Sequence, residues 1–104
     1  MIRSKKRNYN PNEAKKRLVE AMNFYREITR LNQTEFGNLV GYSQQLISNL
    51  YSKPFSLDRA LPVAQEFNLD LNYIVFGENP SSFDTFKREV VEIGKRNLES
   101  KLKR

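Results

Sequence analysis

The chain has neither cysteine nor histidine among its 104 residues. The first absence excludes disulfides and thiolate metal sites. The second removes the commonest metal ligand and the commonest general base. There is no Gly-rich phosphate loop and no serine beside a partnering base, and the carboxylates are scattered along what read as polar helix faces. The expectation is therefore a protein that is not an enzyme and uses no cofactor and no metal. No apolar run approaches the roughly 18 residues that a membrane span needs. The basic start is not followed by an apolar signal region, so the expected location is the cytoplasm. Hydrophobic residues make up 38% of the chain, and the shortfall lies at its two ends.

What is present is positive charge. Eighteen Lys and Arg against twelve Asp and Glu give a net charge of +6. That balance favours a polyanionic partner, either nucleic acid or an anionic membrane surface. The length suits one small domain with an appended element, burying somewhat over 60% of its unfolded surface.

The stretch 31–51, LNQTEFGNLVGYSQQLISNLY, organises the rest. Asn32 is a good N-cap for a helix over 33–40, and Gly41 supplies the backbone freedom of a sharp turn. Ser43 caps a second helix that continues to about residue 51. Phe36, Val40, Ile47 and Leu50 are apolar and face one core. Gly37 sits where the two helices cross, and a side chain larger than Ala there is expected to push them apart. The open face of the second helix carries Gln44, Gln45, Ser48 and Asn49, all neutral hydrogen-bonding groups. This is the layout of a helix-turn-helix whose second helix reads base edges in the major groove. A Gln there presents a donor and an acceptor that match adenine N6 and N7. Gln44 and Gln45 rank above Ser48 and Asn49, because the helix N-terminus reaches deepest.

Through Gln33, Phe36, Gly37, Val40, Gly41, Ser43, Gln44, Ile47 and Leu50 the chain resembles the lambda repressor and Cro-like helix-turn-helix family of transcription regulators. The likeness continues over SLDRALPVAQEFNLDLNYIVFG at 56–77 and covers about 3–77 in all. It implies an all-α, five-helix DNA-binding domain over 11–77. It also implies that Gln33 contacts a phosphate and braces Gln44, and that Arg17 on the first helix reaches the DNA backbone. The basic start, with Arg3, Lys5, Lys6 and Arg7, resembles the arm of the lambda repressor and reads as a flexible phosphate-binding segment over 1–10. Tyr42 in the turn is expected either to bond a phosphate or to pack over the turn. Ser52 and Lys53 are further phosphate contacts, and Tyr51 is core edge.

Asn10 and Pro11 mark the start of a first helix to about residue 29, with Ala14, Leu18, Ala21, Met22, Tyr25 and Ile28 as its apolar stripe. Ser56 is expected to cap a fourth helix over 57–67, buried through Leu57, Leu61, Ala64 and Phe67, with Pro62 kinking it or delaying its start. Asp70 caps a short fifth helix, 71–76, ended by Gly77. Residues 78–82 read as a hinge, with Ser81 or Ser82 capping a last helix over 83–104. Phe83, Phe86, Val90 and Ile93 form its stripe, and Gly94 weakens its middle by about 1 kcal/mol. Such a helix needs an apolar partner. It can fold back on its own domain or pair with its counterpart in a second subunit. The dimer role is preferred, with Ile74 and Val75 beside it.

The function implied is a phage or bacterial repressor, a homodimer on a near-palindromic double-stranded DNA operator, with RNA polymerase or another protein as a further partner. The alternative is an antitoxin or interaction module whose last helix binds a protein.

Overall fold

The computed structural model describes residues 9–102, with side chains up to residue 97. Among the described residues the chain is all-α: six helices and no strand. None of these helices is long and apolar enough to cross a membrane.

Helix α1, Pro11–Thr29, begins as the sequence predicts. The Asn10 side chain accepts from the backbone of Asn12 and Glu13, and Pro11 occupies the first helical position. Ala14, Leu18, Ala21, Met22 and Tyr25 are buried and Ile28 half-buried, so the predicted stripe faces the core. Arg30 ends the helix in the left-handed region, at φ 64°. Helices α2 (Gln33–Val40) and α3 (Gln44–Ser52) follow, then α4 (Leu57–Phe67), α5 (Leu71–Phe76) and α6 (Ser81–Leu102).

Helix α4 departs from expectation in three ways. Its buried face is Ala60, Val63, Ala64 and Phe67, while Leu57 is exposed and Leu61 only half-buried. The Ser56 side chain makes no capping hydrogen bond. Pro62 neither breaks the helix nor delays it. Six residues in, its missing N–H costs only the bond to the Asp58 carbonyl, at an exposed residue of the first turn.

Helix α5 runs as predicted between its Asp70 cap and Gly77, at φ 75°. The link to α6 is not a free hinge. Asp70 Oδ1 accepts the α5 cap bond from Asn72, and its Oδ2 accepts from Asn79 Nδ2 at 2.9 Å. Asn79 turns through the left-handed region at φ 54°, and α6 begins at Ser81, two residues earlier than expected. Neither Ser81 nor Ser82 caps it: Ser81 lies within the helix, and the buried Ser82 hydroxyl has no hydrogen-bond partner.

Helix α6 folds back along α1 and shares its core. Phe86 and Val90 are 1% and 2% exposed, and Ile74 of α5 is fully buried. The Phe86 ring lies 4.8 Å from Phe67 and 6.2 Å from Phe24, centroid to centroid, and Phe83 stacks on Tyr73 at 5.4 Å. The dimer expectation is therefore corrected for Ile74, Phe86 and Val90, whose apolar surface is consumed inside one chain. Full burial of a Phe or Val side chain stabilises by about 1.5–3 kcal/mol, which is the partner this helix required. Val75, Phe83 and Ile93 remain half-buried.

Gly94 marks where α6 crosses the end of α1. A Cβ there would lie 2.6 Å from Ile28 Cγ2 and 3.2 Å from the Ile28 carbonyl oxygen. The residue that weakens α6 in isolation is thus the one that lets it dock. Overpacking of this kind costs about 1–3 kcal/mol, against about 1 kcal/mol gained in helix propensity. Gly94→Ala should therefore lower the unfolding free energy in urea by about 1 kcal/mol; a more stable variant would show that the crossing is loose.

Candidate nucleic-acid interface

The sequence between Asn32 and Lys53 folds into two helices held at a fixed angle by local chemistry. Asn32 and Glu35 form a reciprocal capping box: Asn32 Oδ1 accepts from the Glu35 N–H at 2.8 Å, and Glu35 Oε1 from the Asn32 N–H at 2.9 Å. Gly41 ends α2 in the left-handed region at φ 79°. Ser43 Oγ then accepts from the Leu46 N–H at 3.2 Å to start α3. Phe36 and Ile47 are fully buried, and Leu50 nearly so.

Gly37 is where the two helices touch. Its carbonyl accepts from the Tyr42 N–H at 2.8 Å. A Cβ on Gly37 would run into the Tyr42 carbonyl oxygen and come within 3.3 Å of Ile47 Cγ1. The constraint is stricter than expected from sequence: even the methyl of Ala has no room, because the obstacle is rigid backbone.

With its apolar side anchored, α3 leaves Gln44 and Gln45 exposed and Ser48 and Asn49 half-exposed. Gln44 makes no side-chain hydrogen bond to a described residue. Gln45 Nε2 donates to Asn49 Oδ1 at 3.1 Å, one turn on. The Ser52 hydroxyl donates to the Ser48 carbonyl, and Lys53 is exposed. The four residues expected to read bases therefore share one open face.

No family model matches the chain. No curated protein and no solved structure matches it either. The interface has to be judged on its own chemistry.

Several expected phosphate contacts have other work. Arg17 does not point along an open face: its Nε donates to the Ile74 carbonyl at 2.8 Å and Nη2 to the Val75 carbonyl at 3.1 Å. A guanidinium on the last carbonyls of α5 satisfies orphan acceptors and complements the negative end of the helix. The Tyr42 hydroxyl donates to the Arg59 carbonyl at 2.9 Å, so this side chain packs over the turn and joins α4 to it. Burial raises the pKa of that phenol from its ordinary value, with Arg59 opposing and Asp58 adding to the rise. Tyr51 is core edge, as expected, and its oxygen accepts from Arg26 Nη1 at 3.0 Å. Gln33 is half-buried, and no hydrogen bond joins it to Gln44, so the expected brace is not formed in the chain alone. Arg3, Lys5, Lys6 and Arg7 lie outside the described residues.

Two cations escaped the sequence reading of this face. Lys15 of α1 and Arg59 of α4 line a groove of about 300 Å³ together with Asn49 and Lys53. Only tertiary packing brings them together, since α1, α3 and α4 each supply one wall. Tyr9 was likewise missed: its ring sits 6.5 Å from Phe55, before α4, and 6.3 Å from Phe76, at the end of α5.

The Arg17 assignment is open to a direct check. Arg17→Met keeps the aliphatic stem and removes both hydrogen bonds to the α5 carbonyls. It should lower the unfolding free energy by about 1–3 kcal/mol, measured by urea denaturation. Unchanged stability would mean that water replaces the guanidinium at no cost.

Proposed function

We propose that the chain is a sequence-specific double-stranded DNA-binding transcription regulator of the lambda repressor and Cro-like helix-turn-helix kind. In this reading it is a phage or bacterial repressor acting as a homodimer on a near-palindromic operator. The observation that carries the reading is the state of α3. A short helix is locked by Gly37 against its predecessor, yet its N-terminal amides, Gln44 and Gln45, are held out into solvent. Neutral amides on a rigid convex edge are suited to base edges, where a bidentate pair discriminates by about 1–3 kcal/mol. Basic side chains around this face supply affinity independent of sequence. Packing of α6 on α1 favours this reading over a tail that orders only on a protein partner. It also narrows the surface left for a second subunit to half-buried groups such as Val75, Phe83 and Ile93.

The deciding experiment is selection of bound duplexes from a random library at about 0.15 M salt, where charges beyond about 8 Å are screened. The expected result is a two-fold symmetric site with half-sites about 34 Å apart or a multiple of that. On that site Gln44→Ala should weaken binding by about 1–3 kcal/mol while leaving affinity for unrelated DNA nearly unchanged. Absence of any enriched sequence would overturn the reading.

A further inference from the structure

The groove between α1, α3 and α4 has an unusual electrostatic character. Lys15, Lys53 and Arg59 line about 300 Å³ of open space, and none of them forms an ion pair with a described carboxylate. The basic residues that do pair elsewhere, Lys16, Lys87 and Lys95, each have an acid three residues away on their own helix. Three like charges around one concavity repel each other unless an anion enters. The Ser56 hydroxyl on the same wall is uncommitted to a capping bond. Asn49 lines the groove too, and its Oδ1 already accepts from Gln45 Nε2 at 3.1 Å.

We propose that this groove seats a phosphate of the duplex backbone, and that Asn49 relays its occupancy to Gln45; the inference rests on the reading of the chain as a DNA-binding protein. The logic is that of donors and acceptors. A phosphate oxygen only accepts, whereas a carboxamide has one donating and one accepting end. An occupied groove therefore selects the Asn49 orientation with Nδ2 toward the phosphate and Oδ1 toward Gln45. Gln45 is then held through one Nε2 hydrogen, leaving its Oε1 and a second N–H for a base. With the groove empty, the Asn49 amide is free to turn over and donate to Gln45 instead, which alters what Gln45 presents. Asn49 is on this account a positioning residue: it joins the sequence-independent contact to the sequence-reading one.

The test uses the full chain, ¹⁵N-labelled, with two probes: a 16-base-pair duplex of arbitrary sequence and inorganic phosphate. Addition of the duplex should shift the backbone amide signals of Lys53 and Arg59 and the side-chain amide signals of both Asn49 and Gln45. In Asn49→Leu the Lys53 and Arg59 shifts should persist while the Gln45 side-chain shift is lost. The double variant Lys53→Gln, Arg59→Gln changes exposed side chains only. It should reduce the slope of log affinity against log salt by about 0.9, the value for one phosphate contact. An unchanged slope, with the duplex still bound, would overturn the groove and leave the DNA-binding reading intact. Groove signals that move while those of Gln45 stay fixed would overturn the relay. Shifts with inorganic phosphate in a protein that binds no duplex would overturn the duplex as the source of the phosphate, and with it the regulator reading.

Discussion

The approach of the Tyr42 carbonyl to Gly37 is the constraint on which the functional end of the molecule depends. Because nothing but a hydrogen occupies that space, the backbone of α2 meets the backbone of the turn that leads into α3, with the Ile47 side chain of α3 packed beside it. The hydrogen bond from the Tyr42 N–H to the Gly37 carbonyl and the left-handed Gly41 fix the path of the turn. Ile47 then fills the space under the crossing. A surface helix of nine residues is too short to hold itself in water. Its order is inherited from this contact, and with it the direction in which Gln44 and Gln45 project. Tyr42 extends the same rigidity to α4 through its bond to the Arg59 carbonyl.

Helix α1 plays the corresponding part for the rest of the fold. Arg17, in its second turn, closes the C-terminal end of α5, and Ile28, at its far end, receives α6 at Gly94. Between them Leu18, Met22 and Tyr25 supply the floor on which the aromatic cluster of Phe36, Phe67 and Phe86 is built. Each of these attachments turns a feature that looks unfavourable locally into a tertiary contact. A charge near the apolar stripe becomes a helix cap, and a glycine inside a helix becomes a crossing point.

Much of the helix pattern was legible because its signals are local. Asn10–Pro11, Asn32, Ser43, Asp70 and Gly77 act within a few residues of themselves, and every one of them caps or ends a helix where expected. What could not be read depends on other elements. That Ala60 is buried and Leu57 exposed on α4 depends on where the neighbouring helices lie. Pro62 is tolerated because the carbonyl it orphans faces water. The apolar stripe of α6 was plain in sequence, but a stripe does not say which surface covers it. Phe86 and Val90 found theirs on α1, inside the chain. Within the candidate site the exposure of the α3 amides was legible from helical spacing. The role of Arg17 was not, nor was the bond of Tyr42 to α4, because each bonds a backbone carbonyl more than fifteen residues away. The packing of Tyr42 over the turn was one of the two expected outcomes.

These reassignments alter how the charge of the molecule is to be understood. A net charge of +6 counts Arg17 equally with Lys53, yet Arg17 is spent on the carbonyls of α5 and Lys53 stands in solvent. Affinity for a polyanion depends on the cations that remain free to displace counterions. Here they include Lys15, Lys53 and Arg59, which surround one concavity beside Asn49. Asn49 in turn holds Gln45, so under the proposed function the basic groove and an amide suited to a base edge are one hydrogen bond apart. Sequence-independent charge and sequence-reading amides are usually treated as separate contributions to recognition. In the proposed DNA-binding reading they would share Asn49, and a phosphate docked in the wrong register would misplace the amide assigned to the base.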